Sequence, residues 1–126
     1  MKLSSALLVP ALLLGATVAS ADCVYPQAPQ ALPNGSKATK DEMLAAQAQV
    51  KEYSTAVQET YLPCLEKEKT EYIAALDNMD PEYTAKKTAI DDVHAKKHNA
   101  ALDELQATAG RWSEELKAYK AASEPK

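Results

Sequence analysis

The sequence predicts an all-α protein: an antiparallel two-helix hairpin, coiled-coil-like, with an extended Pro-rich N-terminal arm stapled to it by a disulfide. Three observations predict this. Two long stretches, about 40–76 and 81–121, carry apolar residues at steps of three and four, the spacing of a helical seam. Only Asp77-Asn78-Met79-Asp80 separates them, and so short a connection makes neighbouring helices antiparallel. Cys23 and Cys64 follow an export signal, and in an oxidising compartment a cysteine pair in a core-poor domain is most simply a disulfide.

The export signal occupies residues 1–21. Met1-Lys2 supplies the positive start, Leu3 to Val18 the apolar stretch, and Ala19-Ser20-Ala21 the small residues of a cleavage site, so cleavage after Ala21 leaves Asp22 first. A membrane anchor needs about 20 apolar residues. Ser4, Ser5, Pro10, Gly15 and Thr17 interrupt this run, so the mature chain is expected to have no membrane span. A lipid anchor at Cys23 is excluded by the charged Asp22 before it. The expected location is the periplasm.

Cleavage removes one of the 14 basic residues and none of the 18 acidic ones, moving the formal charge from -4 to -5. Nucleic-acid affinity comes largely from Lys and Arg on phosphates, so this balance excludes a nucleic acid as main partner. The mature part has 19 Ala but only eight Leu, two Ile and no Phe. Alanine favours helix and buries little area, which predicts slender helices with a narrow seam.

The arm spans 22–38. Pro26, Pro29 and Pro33 keep it extended, and Asn34-Gly35-Ser36 ends it in a turn. The helical hairpin spans 39–122. Thr39-Lys40-Asp41-Glu42 is a capping box, so the first helix starts at about 40. Its seam runs through Met43, Ala46, Val50, Tyr53, Val57, Thr60 and Cys64, and Tyr61, Leu65, Tyr72, Ile73 and Leu76 carry the helix onward to about 76. Pro63 predicts a kink near 63, because it lacks an N–H and pushes on the preceding turn. Asp80 suits an N-cap and Pro81 the first helical position, so the second helix starts at 81. Its seam runs through Tyr83, Ile90, Val93 or His94, Ala101, Leu105, Trp112, Leu116 and Tyr119, and residues 123–126 form a frayed tail. The hairpin pairs Tyr53 with Leu105, Val57 with Ala100 or Ala101, and Met43 with Trp112 and Leu116. From Thr39 to Cys64 a helix covers roughly 38 Å, while the arm extends to roughly 50 Å. It therefore reaches back to Cys64, with Val24, Tyr25 and Leu32 over the groove.

Cys23 with Pro26, Pro29, Pro33 and Asn34-Gly35, then Glu42-Met43, Ala46-Gln47, Val50-Lys51, Tyr53, Tyr61-Leu62 and Cys64-Leu65, resembles a group of small, uncharacterised exported helical proteins of Gram-negative bacteria. Lys97-His98-Asn99-Ala100-Ala101 with Leu105-Gln106 resembles its later part. The resemblance implies the bacterial envelope and the disulfide, and no chemistry. Pro63 departs from it, since a polar residue is expected there.

Asp91, His94 and His98 fall within about 60 degrees on one helix face, a set that zinc or copper can use. A closed site needs a fourth ligand, Glu59 or Glu66 across the hairpin. Two histidines bordering a packed seam account for the same pattern, so no metal or other cofactor is assigned. No nucleophile elbow or glycine-rich phosphate loop is present, so the chain is read as a non-enzyme. Tyr53, Tyr72 and Trp112 are expected in the core, and Tyr25 and Tyr119 are candidate partner contacts. The function expected is a binding or structural interaction module, its partner an envelope protein or a second copy. The alternatives are a small periplasmic chaperone for unfolded clients and a weak metal-binding protein through Asp91, His94 and His98.

Overall fold

The capping box opens the first helix as written in the sequence. Thr39 Oγ1 accepts the Glu42 N–H at 3.3 Å, and Glu42 Oε2 accepts the Thr39 N–H at 2.7 Å, satisfying two donors that the helix cannot. In the computed structural model, which describes residues 22–125, all regular structure is helical: α1 (Lys40–Thr55), a π-helical segment (Ala56–Tyr61), α2 (Leu62–Ala74) and α3 (Tyr83–Ser123). The export signal read in 1–21 lies outside the described residues.

A π-helical segment, Ala56–Tyr61, lies just before Pro63, where the sequence predicts a kink. Tyr61 and Leu62 keep helical backbone angles, so the helix passes through the proline without a break. A proline in an α-helix leaves the carbonyl four residues back unpaired and crowds it. Here the preceding turn is wider: the Leu62 N–H donates to Val57 O, five residues back. Widening moves the seam by one residue. Val57, Tyr61 and Leu65 are buried, whereas Thr60 is exposed and Cys64 half-buried. Of the expected positions around the proline, Thr60 and Cys64 are thus corrected to lie off the buried seam, while Tyr61 and Leu65, expected to carry the helix onward, continue it in steps of four from Tyr53 and Val57.

The core is as thin as the composition predicts. Ala28, Tyr53, Val57, Tyr61, Leu65 and Ala101 form one buried cluster, with Cys23, Leu62 and Leu105 packed on it. Contacts descend α3 as they ascend the first helix. Met43 lies with Trp112 and Leu116, Val57 and Tyr61 with Ala101, and Leu65 and Tyr72 with Ile90 and Val93. On α3 the alternative between Val93 and His94 falls to His94, which faces inward, while Val93 is 52% exposed. Thr108 is fully buried, a seam position that its polarity hid.

Cys23 and Cys64 are joined, with Cα atoms 5.8 Å apart. Residues 22–38 contain no helix or strand. Of the three residues expected over the groove, Leu32 is half-buried and Tyr25 lies edge-on to Tyr61 at 5.0 Å between ring centroids. Val24 is 85% exposed, a correction: Ala28 fills the core beside Tyr53 instead, being small enough to enter between the helices. Asn34 O accepts the Lys37 and Ala38 N–H groups at 3.0 and 2.8 Å, closing the expected turn.

Gly35 presses that turn against α3. Its N–H donates to Glu115 Oε2 at 2.6 Å, and a Cβ placed on it would lie 1.8 Å from Glu115 O. No glycine among the described residues has positive φ, so Gly35 is needed for this close approach and not for its backbone angles. At the other end, Asp80 Oδ1 accepts the Glu82 N–H at 2.8 Å and its Oδ2 takes Lys86 Nζ at 2.5 Å. Pro81 and Glu82 remain in that turn, and the helix begins two residues later than expected.

Candidate functional site

Residues of α2 and α3 line a groove of about 300 Å³ beside the core. Leu65, Tyr72, Ile90 and Val93 line it, with Ala89 and the stems of Lys69 and Lys97. Leu65 forms the buried floor, and Tyr72 and Val93 stand 41% and 52% exposed at the lips. Tyr72, expected in the core, is therefore a surface residue, because no third helix covers this end of the seam. Apolar side chains in a concave strip between two helices are what an amphipathic helix docks against.

Charge frames the groove. Lys97 Nζ lies 2.8 Å from Glu68 Oε1, a pair that bridges α3 to α2. The Glu68 carboxylate, by accepting the ammonium's hydrogen bond, holds the Lys97 amine above its usual range. Sequence periodicity cannot find this pair, since it joins residues on different helices.

The histidine face lies at the groove edge. His94 and His98 are neighbours, with ring centroids 5.8 Å apart. Asp91 turns to Lys87, whose Nζ is 2.9 Å from Asp91 Oδ2. The carboxylate nearest His94 is Glu66, its Oε2 3.2 Å from His94 Nε2. That distance alone reads as an ion pair if the imidazole is protonated. The two do not form a hydrogen bond, however, and Nε2 is buried without a hydrogen-bond partner. Glu59, the other expected fourth ligand, is exposed. Among the described residues no three His, Cys, Asp or Glu side chains are gathered into a ready-made metal cage.

Tyr25 and Tyr119 occupy different sites. The hydroxyls of Tyr25 and Tyr53 are hydrogen-bonded at 2.6 Å, and burial, helped by this bond, pushes the Tyr53 phenol well above its ordinary range. Tyr25 is thereby tied to the first helix, although it also borders an open depression of about 570 Å³ with Tyr61, Ala100 and Ala101. Tyr119 lines a shallow apolar recess of about 200 Å³ with Met43, Leu44, Trp112 and Leu116. The structure therefore does not bring the two candidate tyrosines together. Both cysteines are consumed by the disulfide. Among the described residues, no helix is long and apolar enough to cross a membrane.

Comparison with protein-family models, with curated proteins and with solved structures finds no match.

Proposed function

We propose that this chain is an exported periplasmic binding module, a disulfide-stapled helical hairpin with an extended Pro-rich arm, which holds a protein partner in the α2–α3 groove and performs no catalysis. The observation that carries this reading is the pair Tyr72 and Val93, exposed over the buried Leu65 in a concave apolar strip. A chain with so few large apolar residues gains stability by burying them, so leaving these two at one site favours an intermolecular use. Export is supported by the disulfide and by the signal pattern in 1–21. The likeness of the cysteine, proline and helix motifs to small exported proteins points the same way.

The partner is an envelope protein or a second copy. Tyr72→Glu and Val93→Glu place charge at the lips without touching the buried cluster. Sedimentation equilibrium of the mature chain over a range of concentrations detects self-association, and pull-down of detergent-extracted envelope detects a stable partner. The reading expects at least one complex, lost in both variants while the melting temperature stays within about 3 °C of wild type. A monomer without an envelope partner, or a complex indifferent to both charges, overturns it. N-terminal sequencing of the same material should begin at Asp22.

A further inference from the structure

We propose that Glu66 on α2 with His94 and His98 on α3 forms a binding site for a divalent transition-metal ion of the zinc type. It differs from the single-helix set Asp91, His94 and His98 in taking its carboxylate from the facing helix. The inference goes beyond the partner-binding reading and does not depend on it.

The starting observation is a nitrogen without a partner. A buried polar atom normally has a hydrogen bond, and leaving one unmade is unfavourable. His94 Nε2 has none, although a carboxylate oxygen stands 3.2 Å away. Two donors of one tetrahedral ion, each about 2.1 Å from it, lie roughly 3.4 Å apart. The separation of His94 Nε2 from Glu66 Oε2 therefore suits two ligands of a shared cation.

The third donor is one helical turn away. His98 follows His94 at i+4, the spacing by which two histidines on one helix face share a zinc ion. Their rings are 5.8 Å apart at the centroids and tilted by 33°, so His98 must turn about its side-chain bonds to close the set. Two imidazoles and a carboxylate, with a fourth position for water, are a borderline donor set that suits zinc.

The nearby charges are already engaged. Lys69 Nζ lies 2.9 Å from Glu66 Oε1, which leaves Oε2 for the ion and orients the carboxylate. Lys87 is paired with Asp91 and Lys97 with Glu68. Glu66 is also exposed enough to swing aside and admit the ion.

The test is calorimetric titration of the oxidised mature chain with Zn²⁺ in a non-coordinating buffer near neutral pH, with no protein partner present. Histidine ring nitrogens are followed by NMR in parallel. The expected result is one Zn²⁺ per chain with both imidazoles shifted. Glu66→Gln and His98→Ala, each with wild-type helicity, should weaken binding by about tenfold or more. Asp91→Asn should bind within about twofold of wild type. Absence of binding at millimolar Zn²⁺ overturns the proposal, as does full affinity in either weakened variant. A loss in Asp91→Asn equal to that in Glu66→Gln also overturns it, in favour of the single-helix set. His94→Ala is not needed, so damage to the helix interface does not confuse the outcome.

Discussion

Gly35→Ala tests how the turn at residues 34–38 is fixed to α3. The added methyl would lie 1.8 Å from Glu115 O, 2.7 Å from Glu115 C and 2.9 Å from Tyr119 N, all backbone atoms of α3. A helix backbone cannot give way, so the turn must lift by roughly 1.5 Å to restore ordinary contact. Lifting also breaks the bond from the Gly35 N–H to Glu115 Oε2. Overpacking costs about 1 to 3 kcal/mol, and a hydrogen bond to a charged group about 1.5 to 3 kcal/mol. Glu115 is half-exposed, and water recovers part of the second term, which leaves a loss of about 2 to 3 kcal/mol. For a domain of this size that lowers the melting temperature by roughly 10 °C or more. Thermal unfolding of the oxidised mature chain, followed by circular dichroism, reads it directly, with Ser36→Ala as the neighbouring control. If Gly35→Ala melts within about 2 °C of wild type, the turn does not rest on α3 and the reasoning fails.

Four further outcomes follow from the same geometry. Gly110 sits inside α3 and a methyl added to it would meet nothing within 4 Å, so Gly110→Ala should stabilise by about 0.5 to 1 kcal/mol in the same melts, opposite in sign to Gly35→Ala. Leu65→Ala should cost about 3 kcal/mol in urea unfolding and Thr60→Ala less than about 0.5, because the widened turn buries the former and exposes the latter; equal costs would contradict the seam shift. Replacing Cys23 and Cys64 together by Ser should lower the urea-derived stability by about 4 kcal/mol, the loop-closure value for a separation of 41 residues, and an unchanged midpoint would refute it. Stability should also fall at both ends of the pH scale. The Lys86 ammonium, then the Glu82 N–H, hold the folded Asp80 carboxyl below its usual value, so this stabilisation is present above the unfolded pKa and lost as pH drops below about 4. Glu68 raises Lys97, and burial raises the Tyr61 phenol, so theirs is present below about pH 10 and lost above it; a chain more stable at pH 3 or 11 than at pH 7 would contradict these signs.

Features set by neighbours along the chain are legible in the sequence. The Thr39–Glu42 capping box, the turn at Asn34 and the two long helices depend on local spacing, and all are present. The disulfide is legible for a different reason, since a chain with two cysteines leaves one simple intramolecular pairing. What depends on the path of another helix is not. Pro63 marks a disturbance, but only the backbone shows that a widened turn precedes it, which leaves Thr60 exposed and Cys64 half-buried while Tyr61 and Leu65 are buried. Gly35 reads as a turn residue in either case, and its contact with Glu115 lies 80 residues away in sequence. The histidines stand out by their helical spacing. Their facing carboxylate has two candidates, Glu59 and Glu66, and of these it is Glu66 that lies 3.2 Å from His94. Tyr72 is misplaced by periodicity, which marks an apolar stripe without saying where a covering helix ends.

The central claim is that the α2–α3 groove holds a protein in the cell envelope. A photo-crosslinking amino acid introduced at Val93, with the same residue at the exposed Gln106 as control, tests it in intact cells. The account predicts a discrete adduct from position 93 after irradiation, absent from position 106, whose mass identifies a second copy or one envelope protein. No adduct at 93, or the same adducts at both positions, would contradict it.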